Sequence, residues 1–242
     1  MENAFKDIGE ISGLIVFDAG PEGYVSRYLA ERIGNGRIIG ANIWLEAYGK
    51  VRRMVGDELM AKVVFIRDDM QHIDYLKDGF FDLIVSYDTL ISIESQTPSG
   101  TLPILRQFYR ILKNNGRFLA IEHPPLEEAK PVDRAQEHEL KVREILDKIR
   151  PPGKAYTPEQ LSEELKKTGF VEPYWKLISQ GEWLSPIEAT MMIDGARNLA
   201  NKRIQDEKKR ESILVQLDEV VCQAEESGLR TPPYYALYAR KP

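Results

Sequence analysis

Cysteine is almost missing from this chain, with Cys222 alone among 242 residues. One thiol forms no intramolecular disulfide and no cysteine-clustered metal site, so the chain reads as a cytoplasmic protein. Histidine is scarce too. His72, His123 and His138 have no short-spaced partner set, so no metal centre is expected. His72 and His138 fall in polar surroundings and read as solvated. Apolar runs such as Leu14–Phe17 and Leu83–Val85 are strand-sized, whereas a membrane helix needs about 20 residues. The opening "MENAFKDIGEIS" has no basic stretch followed by an apolar one, so no export signal is expected. An excess of positive charge is also lacking: the net charge is −5 and the isoelectric point about 5.5. That balance argues against nucleic acid or an anionic membrane as partner. G-x-G-x-x-G and G-x-S-x-G are both absent, which argues against a dinucleotide pyrophosphate loop and a serine nucleophile elbow.

What is present is alternation. Leu14–Phe17, Ile38–Ala41, Val63–Ile66, Leu83–Ser86 and Phe118–Ile121 are short and apolar on both faces. Strands of a parallel sheet covered on both sides have this character. Helical patterns lie between them: Val25–Ile33 before Gly34, Trp44–Leu59, and Leu102–Lys113 before Asn114-Asn115-Gly116. Strand, helix, strand at this spacing implies right-handed crossovers and a doubly wound α/β sheet.

Beyond Ile121 the pattern becomes helical. "EHPPLEEAKPVDRAQEHELKVREILDKIRPPG" is bounded by prolines, and Thr157-Pro158-Glu159-Gln160 is a capping box whose helix Gly169 closes. "VEPYWKLI" and "YYALYA" read as a sixth and a seventh strand. Between them Ser185-Pro186-Ile187-Glu188 is another capping box, opening a helical pattern that runs to about Glu226. Its polar middle, "QDEKKRES", marks one projecting helix or the meeting of two. Ile187, Met191, Met192 and Leu199 form one apolar face, and Ile213, Leu214, Leu217, Val220 and Val221 another. The chain thus reads as a single domain over 1–242 with helical insertions at about 124–155 and 180–231, serving as a lid or a homodimer interface.

The first turn carries the chemistry that is easiest to read. Asp18-Ala19-Gly20 ends a strand, and Gly23 precedes a helix, at the sheet edge where ligands of open α/β proteins bind. Glycine there permits either a tight turn alone or the approach of a ligand to the backbone. Glu22, in the middle of the loop, places a negative charge where a phosphate would otherwise sit.

In order, "FDAGPEGYVSRYLAERIG", "RIIGANIW", "FFDLIVSYDTL" and "FYRILKNNGRFLAIEHP" resemble the Rossmann-like class I S-adenosylmethionine-dependent methyltransferases. The resemblance covers residues 11–178, and "YYALYARKP" matches the family's last strand. It implies a seven-stranded, mostly parallel sheet with that strand antiparallel. It further implies that Asp18, Gly20 and Gly23 face the methionine part of the cofactor, that Asn42 stands where an acid holds the ribose, and that Asp69 accepts from the adenine amino group with Met70 packed on the ring. The loop is one residue shorter than the family pattern, with Pro21-Glu22 in place of a small residue and glycine.

At the ends of the fourth and fifth strands, Asp88 is expected to orient an acceptor and His123 to take its proton. The leading reading is methyl transfer from S-adenosylmethionine to a small, partly apolar molecule. The alternative is a non-catalytic scaffold of the same fold, favoured by Glu22, Asn42 and the short loop.

Overall fold

The computed structural model describes residues 1–90, 101–149 and 155–242. Pro151 and Pro152, read as ending the first helical insertion, lie outside the described residues. The chain divides into two compact units. Met1–Glu122, Tyr156–Ile178 and Tyr235–Pro242 form one, and His123–Ala155 with Ser179–Tyr234 the other.

The first unit is built on the sheet. Its strands are β1 (Ile15–Ala19), β2 (Arg37–Asn42), β3 (Val63–Arg67), β4 (Phe81–Tyr87), β5 (Leu112–Glu122), β6 (Val171–Ser179) and β7 (Tyr234–Arg240). They form one seven-stranded sheet in the order β3-β2-β1-β4-β5-β7-β6. The pairs β1–β2, β2–β3, β1–β4 and β4–β5 are parallel, and β5–β7 is antiparallel, with Glu122 opposite Tyr235. The order reverses between β1 and β4, so the crevice outside their carboxyl ends is the natural ligand position.

Phe17, Phe81, Phe108 and Phe118 are fully buried in the core against these strands. Phe17 meets Phe81 and Phe108 edge-on at 5.1 and 5.9 Å. Burying each ring contributes roughly 1.5–3 kcal/mol. The helices of this unit are α1 (Glu2–Phe5), α2 (Tyr24–Arg32), α3 (Leu45–Val55), α4 (Asp57–Met60), α5 (Leu102–Ile111) and α7 (Pro158–Thr168). In α7 both halves of the capping box form, at 3.2 Å each, and Gly169 closes the helix at φ 106°.

Two boundaries differ from the periodicity. The helix expected over 44–59 is broken by Gly56, whose φ of 80° and ψ of 151° leave the helical region. The helix expected to reach Lys113 stops at Ile111, because Leu112 pairs with Phe81 of β4. Sheet pairing outweighs helix propensity there.

The second unit is helical. α6 (Arg134–Ile149), α8 (Pro186–Arg203) and α9 (Glu207–Ser227) pack around Val142, Ile145, Ile193, Ala196, Ala200, Ile213, Leu217 and Val220. The polar middle of the long pattern is a junction of two helices. Asp206 caps α9 by accepting from the Lys209 N–H at 2.8 Å. The buried face of α8 is offset from the expected one. Ile193, Ala196 and Ala200 turn inward, while Ile187 and Met191 stay 73% and 69% exposed. Alanines allow close helix approach, which a pattern weighted by large side chains overlooks. His138, expected in solvent, is buried with Nδ1 3.2 Å from the Gly228 carbonyl.

Candidate active site

The turn after β1 is packed by the chain's own side chains. Gly20 has φ 70°, and a Cβ there would lie 2.5 Å from the Thr89 hydroxyl oxygen. That oxygen sits 2.8 Å from the Ala19 carbonyl and 2.9 Å from the Tyr87 carbonyl, either of which takes its proton. Gly23 has φ 108°, and a Cβ there would meet the Met54 sulfur at 2.7 Å. Pro21 packs on Gly40 of β2 in the same way, at 2.8 Å. The glycines thus let three neighbouring segments close on the turn, and Thr89 ties it to the end of β4.

Asp18 points inward. Its Oδ2 accepts from the Ser26 hydroxyl at 2.5 Å, and burial pushes its pKa up to about 7 against the smaller lowering effect of that bond. Removal from water disfavours the anion more than one neutral donor can offset.

Asn42, at the end of β2, is buried and engaged at both ends of its amide. Oδ1 accepts from the Trp44 N–H at 3.0 Å, and Nδ2 reaches the Pro21 carbonyl at 3.5 Å. An amide has two donors and two lone pairs, so each end keeps one further valence. Beside it, at the end of β3, Asp69 is half-buried and its Oδ1 accepts from the Gln71 N–H at 2.9 Å. Met70 is buried next to it. Glu22 lies at the surface, paired with Lys50 at 3.5 Å.

At the end of β4, Asp88 takes φ 48°, and its N–H donates to the Ile121 carbonyl at 2.9 Å. A non-glycine residue in this region stores strain that the surroundings must hold. One such restraint comes from Glu122, which the sequence reading passed over. It is buried at the end of β5, and its Oε1 accepts from the Leu90 N–H at 3.1 Å and faces the Ser86 hydroxyl at 3.5 Å. The signal was available: an acid closes an apolar strand at the edge where ligands bind. Burial pushes the Tyr235 hydroxyl far up, with Glu122, Asp88 and Glu159 adding to the effect, and it donates to the Tyr156 carbonyl at 2.9 Å.

Asp18, Gly20, Gly23, Asn42, Asp69, Met70 and Asp88 thus stand at or just beyond the carboxyl ends of β1 to β4, in one unit. His123 follows β5 and opens the helical unit. Its Nδ1 lies 3.1 Å from the Pro124 carbonyl and 3.2 Å from Nη1 of Arg143, and its ring meets Tyr234 edge-on at 6.3 Å. Among the described residues no group of His, Cys, Asp and Glu is arranged to hold a metal ion, and no helix is long and apolar enough to cross a membrane.

Comparison with known proteins agrees with this architecture. Residues 17–120 match the family model of a methyltransferase domain. No curated protein sequence matches the chain. Among solved structures, a cyclopropane-fatty-acyl-phospholipid synthase-like protein from Lactobacillus casei superposes with a TM-score of 0.66 at 15% identity, over 99% of this chain and 87% of that one. Phosphoethanolamine N-methyltransferase 2 of Haemonchus contortus, in complex with S-adenosyl-L-methionine, gives 0.61 at 16% identity over 100% and 52%. A SAM-dependent methyltransferase from Archaeoglobus fulgidus gives 0.57 at 18% over 98% and 90%. The chain therefore has the fold of the class I S-adenosylmethionine-dependent methyltransferases, and its residues 17–120 match the methyltransferase-domain model.

Proposed function

We propose that the protein transfers a methyl group from S-adenosylmethionine to a small acceptor. The observation that carries this reading is the coincidence of the matched domain with the edge where the sheet order reverses. The donor set there fits the cofactor. Asp69 accepts from Gln71 at both carboxylate oxygens, Oδ1 from the N–H at 2.9 Å and Oδ2 from the side-chain amide at 3.3 Å, and Oδ2 keeps a further lone pair for an amino group. Met70 beside it supplies an apolar surface for a flat ring. Asn42 keeps one N–H and one lone pair for a hydroxyl, a weaker hold than an acid would give. The turn from Gly20 to Gly23 leads into the N-terminus of α2, whose free N–H groups favour a carboxylate.

S-adenosylmethionine, when bound, supplies a methyl group on a positively charged sulfur. The chain's part is then to hold the acceptor in line and exclude water, which alone supplies much of the rate effect. Asp88, at the end of β4, is proposed to orient it; His123, read as taking the acceptor's proton, belongs to the helical unit. A cytoplasmic setting belongs to the same proposal, supported by the near absence of cysteine.

The second reading is a non-catalytic scaffold, favoured by the way Thr89, Met54 and Pro21 fill the space around the turn. Calorimetric titration with S-adenosylhomocysteine separates the two. Micromolar binding is expected, weakened about 10- to 100-fold in Asp69→Ala by loss of a bond worth roughly 1.5–3 kcal/mol. Absence of heat at millimolar ligand supports the scaffold.

A further inference from the structure

Two departures from the family pattern, the short Pro21-Glu22 loop and the amide at Asn42, meet at one place. The end of β2 carries the turn that follows β1. The Gly20 N–H donates to the Ala41 carbonyl at 3.0 Å. Pro21 packs against Gly40, where a Cβ would lie 2.8 Å from its ring. Asn42 completes the row: its Oδ1 accepts from the Trp44 N–H at 3.0 Å, and its Nδ2 reaches the Pro21 carbonyl at 3.5 Å. Pro21 and Asn42 are both buried.

The two partners fix which way the amide points, since the flipped form would set N–H against N–H and oxygen against oxygen. They also decide which residue type can stand there. Trp44 needs an acceptor and Pro21 a donor. An ionised carboxylate has acceptors only, so it would serve Trp44 and turn an oxygen on the buried Pro21 carbonyl. We infer that Asn42 is a positioning residue, a clasp between β2 and the turn, which acts through Pro21 on the Gly20–Gly23 backbone. The amide thus belongs to the shortened loop and is more than a weakened acid.

This inference deepens the proposed binding of S-adenosylmethionine and rests on it. The turn and the N-terminus of α2 are proposed to face the methionine part of the cofactor. The clasp therefore acts on that part, beyond the one bond that the amide spares for a ribose hydroxyl.

Two ligands separate these routes. S-adenosylhomocysteine and 5′-methylthioadenosine share adenine and ribose, and only the first carries the amino-acid carboxylate. Calorimetric titration of the full chain with each is compared for wild type and Asn42→Ala. The variant is expected to lose about 5- to 10-fold more affinity for S-adenosylhomocysteine than for 5′-methylthioadenosine, the factor that one net hydrogen bond supplies. Asn42→Asp keeps the acceptor for Trp44 and removes the donor for Pro21, so it should show the same excess loss. Equal losses for the two ligands leave a ribose contact alone and overturn the proposal, as does wild-type behaviour of Asn42→Asp. Should neither ligand bind the wild type, the methyl-transfer reading fails, and the clasp is read from hydrogen exchange. The Gly20 N–H should then exchange about 10-fold faster in Asn42→Asp than in wild type, through easier local opening of the turn. An unchanged rate overturns the clasp itself.

Discussion

Asp18 in the sheet-bearing unit and Glu139 in the helical unit are both carboxyls withdrawn from water, and each meets that burial differently. Asp18 has a single hydroxyl partner at 2.5 Å, and burial lifts its pKa to about 7. Glu139 has a guanidinium at 2.6 Å, itself almost wholly enclosed. Where a strand ends beside a helix there is room for Ser26 and no cation, so the carboxyl responds by holding its proton. Where one helix carries an acid and a base four residues apart, a counter-charge comes with the element itself.

The sharpest way to break this contrast is to remove the counter-charge. Arg143→Leu takes the guanidinium away from the fully buried Glu139 and should cost about 3–5 kcal/mol in urea unfolding at pH 7, with most of it regained on adding Glu139→Leu. A loss below about 1 kcal/mol would mean that Glu139 does not depend on its partner.

The other half of the contrast is tested by pH. The folded-state pKa of Asp18 lies above its ordinary value of 3.8, so the folded state binds the proton more tightly than the unfolded state. Its stability contribution is therefore complete below about pH 4 and lost as pH rises through about 7. Asp18→Asn removes this dependence. The stability of wild type minus variant should rise as pH falls from 8 to 4, by at most roughly 4 kcal/mol. A flat difference would show that the buried carboxyl does not take up a proton on folding.

Glycines extend the comparison at smaller scale. Gly20 combines φ 70° with Thr89 packed against it, whereas Gly195 lies in α8 with open space around its Cα. Gly20→Ala should destabilise by about 1–3 kcal/mol. Gly195→Ala should stabilise by roughly 0.5–1 kcal/mol, since helical glycine gives up backbone entropy for no packing. Thermal melting of the two variants checks both signs.

Much of the architecture was legible because its causes are local. Strands buried on two faces must be short and apolar; β2 to β5 each contain the run that marked them, and β1 begins one residue inside its own. Capping boxes at Thr157 and Ser185 formed as read, since all their atoms lie within four residues. Asp69 and Asp88 were also legible as positions, for a residue that closes an apolar strand stands at the sheet edge. Their surroundings were not legible. Thr89 over Gly20, Pro21 on Gly40 and Met54 at Gly23 join segments many residues apart.

The sequence by itself determined the class of fold, the order of its elements and the positions that stand at strand ends, because periodicity, caps and turns act over a few residues. Only the tertiary structure decided that Leu112 leaves its helix to pair with Phe81, that Ala196 and Ala200 form the inner face of α8, and that Arg143 meets His123. Those outcomes depend on which surfaces meet. A buried polar atom takes whatever partner the packing brings within hydrogen-bond reach, and twenty or seventy intervening residues leave no local trace of that encounter.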